Sequence, residues 1–227
     1  MVHTTGISAA GGPLVELENV SARTDRGEEI FGSLNFSLLP GRSAVIVGGA
    51  GTGKTTLVEL LLGLHAPVGG TIKLFGESIS KRSAVRKVRR KIGGVGGPFS
   101  LISTLTVEEN ILMPLIISGE RSSLQRERLS RLLAEFDLLK QAQQYPSSLT
   151  RVEYTLVQIA RASIASQPLM LIDEPSAGLD HKTYLHVLEY LHKASLFGRS
   201  MLIMASDKPP LEIPNSSCYT IANGRLV

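Results

Sequence analysis

The stretch that decides the fold is Gly48-Gly-Ala-Gly-Thr-Gly-Lys-Thr-Thr56, preceded by Ser43-Ala-Val-Ile-Val47 and followed by Leu57-Val-Glu-Leu-Leu-Leu-Gly-Leu64. The β-branched run in front reads as a buried parallel strand, and the apolar spacing behind reads as a helix. Gly, four residues, Gly, Lys, Thr between a strand and a helix is a phosphate-cradling pattern. Gly48, Gly49, Gly51 and Gly53, with Ala50 and Thr52 among them, let successive backbone N–H groups turn inward around phosphate oxygens without a Cβ in the way. The helix N-terminus adds the positive end of its dipole. Lys54 brings a point charge for the β- and γ-phosphates, Thr55 offers a hydroxyl to a magnesium ion, and Thr56 completes the segment.

Working outward, Leu169-Met-Leu-Ile-Asp-Glu-Pro175 is a second apolar run, this time ending in two acids. A buried strand of this kind delivers charge from its C-terminal end into the crevice above the sheet. Asp173 is then the expected magnesium holder, through water, and Glu174 the general base that polarises an attacking water. On the N-terminal side, Leu14–Val20 and Leu34–Leu39 alternate apolar with polar residues around the charged segment Thr24–Glu29, which reads as two strands and a turn. Leu129–Leu139 has the three- and four-residue apolar spacing of a core helix.

The 227 residues are 43% hydrophobic and 19% charged, enough apolar surface to exclude disorder as the dominant state. No stretch approaches the roughly 20 uninterrupted apolar residues of a membrane-spanning helix. The opening, Met1–Pro13, lacks the basic-then-apolar order of a secretory signal, so a cytoplasmic location is expected. Residues 1–13 read as a flexible tail and 14–227 as a single folded domain. One cysteine, Cys218, excludes an internal disulfide and reads as a small apolar filler. Seven of the basic residues fall in Lys81–Lys91. Val85 and Val88 sit three apart, as the inward stripe of a helix with a solvated basic face would; an anionic lipid or acidic protein surface is the alternative. With no Trp and 5% aromatic residues, base stacking on nucleic acid is not expected.

The order of these landmarks resembles that of the nucleotide-binding subunits of ABC transporters, from Leu14 to Val227. Asp173 follows Lys54 by 119 positions, which leaves room for that family's helical subdomain, here at about 98–165. Ser103–Gly119 resembles the segment after the family's Q-loop, Tyr145–Leu149 the approach to its signature motif, Ser176, Ala177, Gly178, Leu179 and Asp180 its D-loop, and Asn223–Val227 its last strand. The wording LTVEEN followed by MPL is similar to lipoprotein-releasing, macrolide-exporting and phospholipid-trafficking subunits. The resemblance implies an α/β P-loop NTPase core with a mostly parallel sheet, an N-terminal antiparallel β group and an inserted helical subdomain. It also implies ATP and Mg2+ as ligands, and a location on the cytoplasmic face of the inner membrane. The implied partners are membrane-spanning transporter subunits and a second ATP-binding subunit, in a homodimer or heterodimer.

Several family positions are altered. Gly97 stands where the family has the glutamine of the Q-loop, and four glycines within Gly93–Gly97 raise the backbone entropy of that link, which would loosen coupling to a membrane subunit. Thr150, Arg151, Val152 and Glu153 follow Leu149 where the signature would read Ser-Gly-Gly-Gln. Arg151 and Val152 thus replace the two glycines that would approach a γ-phosphate across a dimer, although a guanidinium is itself suited to phosphate oxygens. Ser206 replaces the switch histidine, and Thr24 the adenine-stacking aromatic. The resemblance therefore implies retained Mg-ATP binding with slow or lost hydrolysis. A regulatory or structural ATP-binding module, and an active ATPase with compensating residues, are the alternatives. His181 follows the D-loop and reads as a surface or interface residue, since the resemblance assigns general-base work to Glu174, and His186 and His192 lie in an amphipathic segment without ligand companions at metal spacing.

Overall fold

The computed structural model describes residues 12–24 and 26–227; residues 1–11 of the expected tail lie outside them. Strands β1 (Val15–Arg23) and β2 (Glu29–Leu38) are antiparallel partners, with Leu17 opposite Phe36 and Val15 opposite Leu38. After β3 (Ser43–Val47) and helix α1 (Lys54–Leu61) comes a hairpin that the sequence reading did not separate, β4 (Gly69–Leu74) and β5 (Glu77–Ser78). β4 pairs with the far side of β1, so the antiparallel sheet has the order β2-β1-β4-β5. It joins residues from both sides of the phosphate-loop segment.

Helix α2 (Arg82–Arg89) buries Val85 and Val88 and turns its basic residues outward, as the spacing predicts. Strand β6 (Ile92–Val95) is fully buried. This corrects the reading of Gly93–Gly97 as a loosened link: Gly93 and Gly94 are ladder residues paired with Met170 and Leu171. A Cβ on Gly93 would collide with the Ala162 carbonyl and one on Gly94 with the Phe99 ring, so the two glycines are consumed by close packing.

Helices α3 (Val107–Ser118), α4 (Ser122–Glu135) and α5 (Arg151–Ile164) follow, with short 3-10 turns at Leu139–Gln141 and Pro146–Ser148. α3 and α5 both start in capping boxes, Thr106 with Glu109 and Thr150 with Glu153, each satisfying otherwise orphaned N–H groups. The helix expected through Leu139 stops at Glu135. Asp137 takes φ +53°, and the Leu138 N–H turns back to the Leu133 carbonyl at 2.8 Å, a Schellman ending that buries Leu138 while leaving Leu139 exposed.

Strand β7 (Leu169–Asp173), helix α6 (His181–Leu196), and strands β8 (Ser200–Ala205), β9 (Ser216–Ala222) and β10 (Arg225–Leu226) complete the chain. The main sheet has the order β10-β9-β3-β8-β7-β6, parallel except for β10. Its central strands are apolar at successive positions because both faces are covered. Leu169, Leu171, Leu202 and Met204 pack toward α1 and the antiparallel sheet, whereas Met170, Ile172, Met201 and Ile203 pack toward α3, α5 and α6. Cys218 departs from expectation: it is exposed, because β9 is covered mainly at Ile221. None of the described helices is long and apolar enough to cross a membrane.

Candidate functional site

Parallel strands all end on one side of the sheet, and the chemistry-bearing residues collect there. The turn after β3 begins at Gly48, whose N–H donates to the Ala205 carbonyl at 3.0 Å, and runs into α1 at Gly53. Gly53 has φ +96°, and a Cβ there would lie 2.7 Å from Ile30 and from the Phe31 ring, so glycine is required both for the turn and for seating the loop on the core. The loop is closed internally by the Thr52 hydroxyl donating to the Gly49 carbonyl at 2.9 Å. Gly49, Ala50 and Gly51 are exposed above it, and Thr56 sits in the first turn of α1.

Lys54 is buried, and its ammonium group has three oxygen partners. It donates to the Gly48 carbonyl at 2.5 Å and the Gly49 carbonyl at 2.8 Å, and it lies 3.2 Å from Oε1 of Glu174. The Thr55 hydroxyl donates to Oδ2 of Asp173 at 2.9 Å. The other Asp173 oxygen, Oδ1, is buried without a partner among the described residues, and burial pushes this carboxyl above its ordinary value while the Thr55 bond opposes the shift. An orphaned acceptor beside a threonine hydroxyl is a fit for a hard cation such as Mg2+, which takes oxygen ligands and leaves the rest of its shell to water and phosphate. Gly97 borders this corner with φ +45°, and a Cβ on it would lie 2.6 Å from Asp173 Oδ2.

Glu174 adopts φ +55°, an uncommon conformation for a side chain of this kind, fixed by its N–H donating to the Met204 carbonyl at 2.9 Å. Its carboxylate takes two further bonds from the residue after β8: the Ser206 N–H donates to Oε2 at 3.1 Å and the Ser206 hydroxyl to Oε1 at 2.7 Å. Ser206 thus does reach the carboxylate, with two donors and no charge. Past Glu174, Ala177 and Leu179 close successive turns, and Asp180 caps α6 by accepting from the Thr183 N–H and hydroxyl. Ser176 is exposed, as is His181 at the start of α6. His186 and His192 each bond a backbone carbonyl, of Glu135 and Glu212 respectively.

The altered signature segment forms the N-terminus of α5. Thr150 is the N-cap, Arg151 and Val152 occupy the first two helical positions, and Glu153 closes the capping box. The Arg151 stem lies across the D-loop, so that a Cβ on Gly178 would meet its Cγ at 2.5 Å. The sequence reading missed what α5 contributes further on. Thr155 and Gln158, both buried, line a cavity of about 270 Å3 with Thr55, Gly97 and Asp173. The Gln158 amide donates to the Phe99 carbonyl at 2.8 Å, and Arg161 donates to the carbonyls of Phe99 and Ser100, which fixes the segment that follows Gly97. Asn110 secures the next turn by bonding the backbone of Ile102, Leu105 and Thr106. An amphipathic-helix pattern cannot distinguish such residues from ordinary polar positions.

Fold and site together define a phosphate-loop nucleotide-binding protein with a two-faced parallel sheet and a helical arm. The family model described as ABC transporter matches residues 31–177. Over 94% of its length the chain is 30% identical to the cell division ATP-binding protein FtsE of Escherichia coli K12, of which it covers 97%. It is 28% identical to the macrolide export ATP-binding/permease protein MacB of an Azoarcus species, covering 34% of that longer protein. Among solved structures, the dimeric ATP-binding cassette MJ0796 with ADP and Pi superposes with a TM-score of 0.82 at 26% identity, over 93% of this chain and 96% of that one. An ATP-binding subunit of an ABC transporter gives 0.84 at 25% identity, over 94% and 88%. The chain belongs to the ABC transporter family and is an ATP-binding domain of it.

Proposed function

We propose that the chain binds Mg-ATP at the Gly48–Thr56 loop and docks, as an ATP-binding subunit, on membrane-spanning partners at the cytoplasmic face of the inner membrane. Hydrolysis at a site built from this chain alone is slow or absent. The observation that supports nucleotide binding best is the corner formed by Thr55 and Asp173, with the unpaired Asp173 oxygen directly beside the phosphate loop. Thr55 and Asp173 would hold Mg2+, which when bound offsets charge on the β- and γ-phosphates. The loop amides and Lys54 hold the phosphate oxygens; to do so Lys54 exchanges its Gly48 and Gly49 carbonyl partners for phosphate.

Impaired turnover rests on Gly97, Arg151 and Ser206. Glu174 must orient water and take its proton, yet its carboxylate is already ion-paired with Lys54 and accepts from both donors of Ser206. Two donated hydrogen bonds and an ion pair crowd a carboxylate with about four acceptor sites, which narrows the directions from which water can approach it. Ser206 brings no imidazole to anchor a γ-phosphate, and the loss of one such preorganised group costs on the order of a hundredfold in rate. A second subunit with an unaltered signature segment would complete one of two sites in a heterodimer.

A second reading, a regulatory or structural ATP-binding module, is favoured by the likeness to FtsE, a protein named for cell division and not for transport. Binding and phosphate release measured together on the native chain, Lys54→Ala and Glu174→Gln test the proposal. Lys54-dependent Mg-ATP binding with background release is expected. Fast release that disappears in Glu174→Gln would overturn the impaired-turnover reading.

A further inference from the structure

The end of the sheet opposite the phosphate loop carries a second cleft, of about 660 Å3. Its floor is Gln167 and Pro168, immediately before β7, and Arg199, immediately before β8, whereas Glu174 and Ser206 follow the other ends of the same strands. A strand of five residues spans roughly 16 Å, so the two sites are separate. One wall is the α4 face bearing Arg128 and Arg131, spaced to lie together, and the other is the last turn of α6 with Lys193.

These four cations share the cleft with one carboxylate, Glu135. Among the described residues none of the four lies within ion-pair distance of an acid. Arg128 donates to the Ile164 carbonyl at 3.1 Å and Arg199 to the Ser163 carbonyl at 3.1 Å, which helps finish α5. Helix capping accounts for one donor of the five on each guanidinium, apart from a long contact of Arg199 with the Met170 sulfur at 3.4 Å. It does not account for Arg131 or Lys193. Burial pushes Arg199 below its ordinary value and the like charge of Arg128 adds to that, against the larger opposing effect of Tyr190; an anion in the cleft would offset the like charge.

A second observation points the same way. Gln167 is nine-tenths buried in the cleft floor, and its Oε1 has no hydrogen-bond partner among the described residues. An unpaired buried amide oxygen is costly unless something else completes it. Tyr190 and the Phe197 ring, which is 91% exposed, give the cleft an apolar side as well. The volume is that of a site for a small molecule. Guanidinium groups take phosphate and carboxylate oxygens in pairs, and a phosphate offers more oxygens than a single carboxylate to several cations converging on it. We propose that this cleft binds a phosphorylated small molecule, with Arg128, Arg131, Lys193 and Arg199 on the phosphate and the Gln167 amide on its neutral part.

The test uses inorganic pyrophosphate as probe, titrated calorimetrically into the full chain carrying Lys54→Ala, which weakens the phosphate-loop site. Submillimolar binding is expected, weakened at least tenfold when Arg131→Glu and Lys193→Glu are added. Both side chains are exposed, so the charge reversals leave the melting profile in place. In the native chain, pyrophosphate should slow acylation of the Lys193 amine, read residue by residue by mass spectrometry; this arm does not depend on how the Lys54→Ala variant folds. Binding that survives the charge reversals, the absence of Lys193 protection, or citrate binding as tightly as pyrophosphate would overturn the proposal.

Discussion

Restoring the family's glutamine at Gly97 should damage the site. Gly97 has φ +45°, where an L side chain is disfavoured by roughly 1–2 kcal/mol, and a Cβ there would sit 2.6 Å from Asp173 Oδ2 and 3.4 Å from its Cβ and Cγ. Asp173 is buried on a strand and held by Thr55 at 2.9 Å, so it cannot yield without losing a hydrogen bond to a charged group, worth about 1.5–3 kcal/mol. Taken together, Gly97→Gln should cost about 3 kcal/mol and lower the melting temperature by roughly 6–12 °C for a domain of this size. Gly97→Ala should do nearly as much, because the damage comes from the Cβ. Displacement of Asp173 should also weaken the magnesium dependence of nucleotide binding about tenfold, equivalent to 1.4 kcal/mol. Differential scanning calorimetry and fluorescent-nucleotide titration with and without Mg2+ measure the two effects. A Gly97→Gln protein that melts normally and binds Mg-ATP at least as tightly as native would refute the reasoning.

Ser206→His should raise phosphate release, by up to about a hundredfold if the missing group is what limits turnover, and release that stays at background would move the limitation elsewhere. Leu171 is completely buried on the interior strand β7, so Leu171→Ala should cost about 2–5 kcal/mol by chemical denaturation, and a cost below 1 kcal/mol would contradict the packing described. Glu153 is held below its ordinary value of 4.5 by the Thr150 N–H and then by the Thr150 hydroxyl. Its depressed folded value means that the stabilisation is present above pH 4.5 and is lost as pH falls through that lower value. Native and Glu153→Gln proteins should therefore differ most in melting temperature near neutrality and converge once the pH has fallen below that depressed value; a gap that persists in strong acid would sink this account of the cap.

The sequence by itself determined two of the main sheet's interior strands, β3 and β7, and the phosphate loop. Ala44–Val47 and Leu169–Ile172 are apolar at consecutive positions, as a short strand buried on both faces requires, and the Gly48–Thr56 glycines between a strand and a helix form a phosphate-cradling pattern. Local chemistry of that kind is written in adjacent residues. Tertiary structure alone decided how distant segments meet. The β4–β5 hairpin reaches back to β1 through a register that the short alternation of Gly69–Leu74 does not specify. Gly93 and Gly94 looked like slack until Ala162 and Phe99 were seen packed onto them. Cys218 turned outward because its strand is covered at Ile221 and open elsewhere. Gln158 entered the cavity beside Asp173, and Arg199 met Arg128 across the far cleft, because helices separated in sequence converge on one sheet. A side chain's neighbours across such a convergence are fixed by packing of whole elements, and no window of sequence contains them.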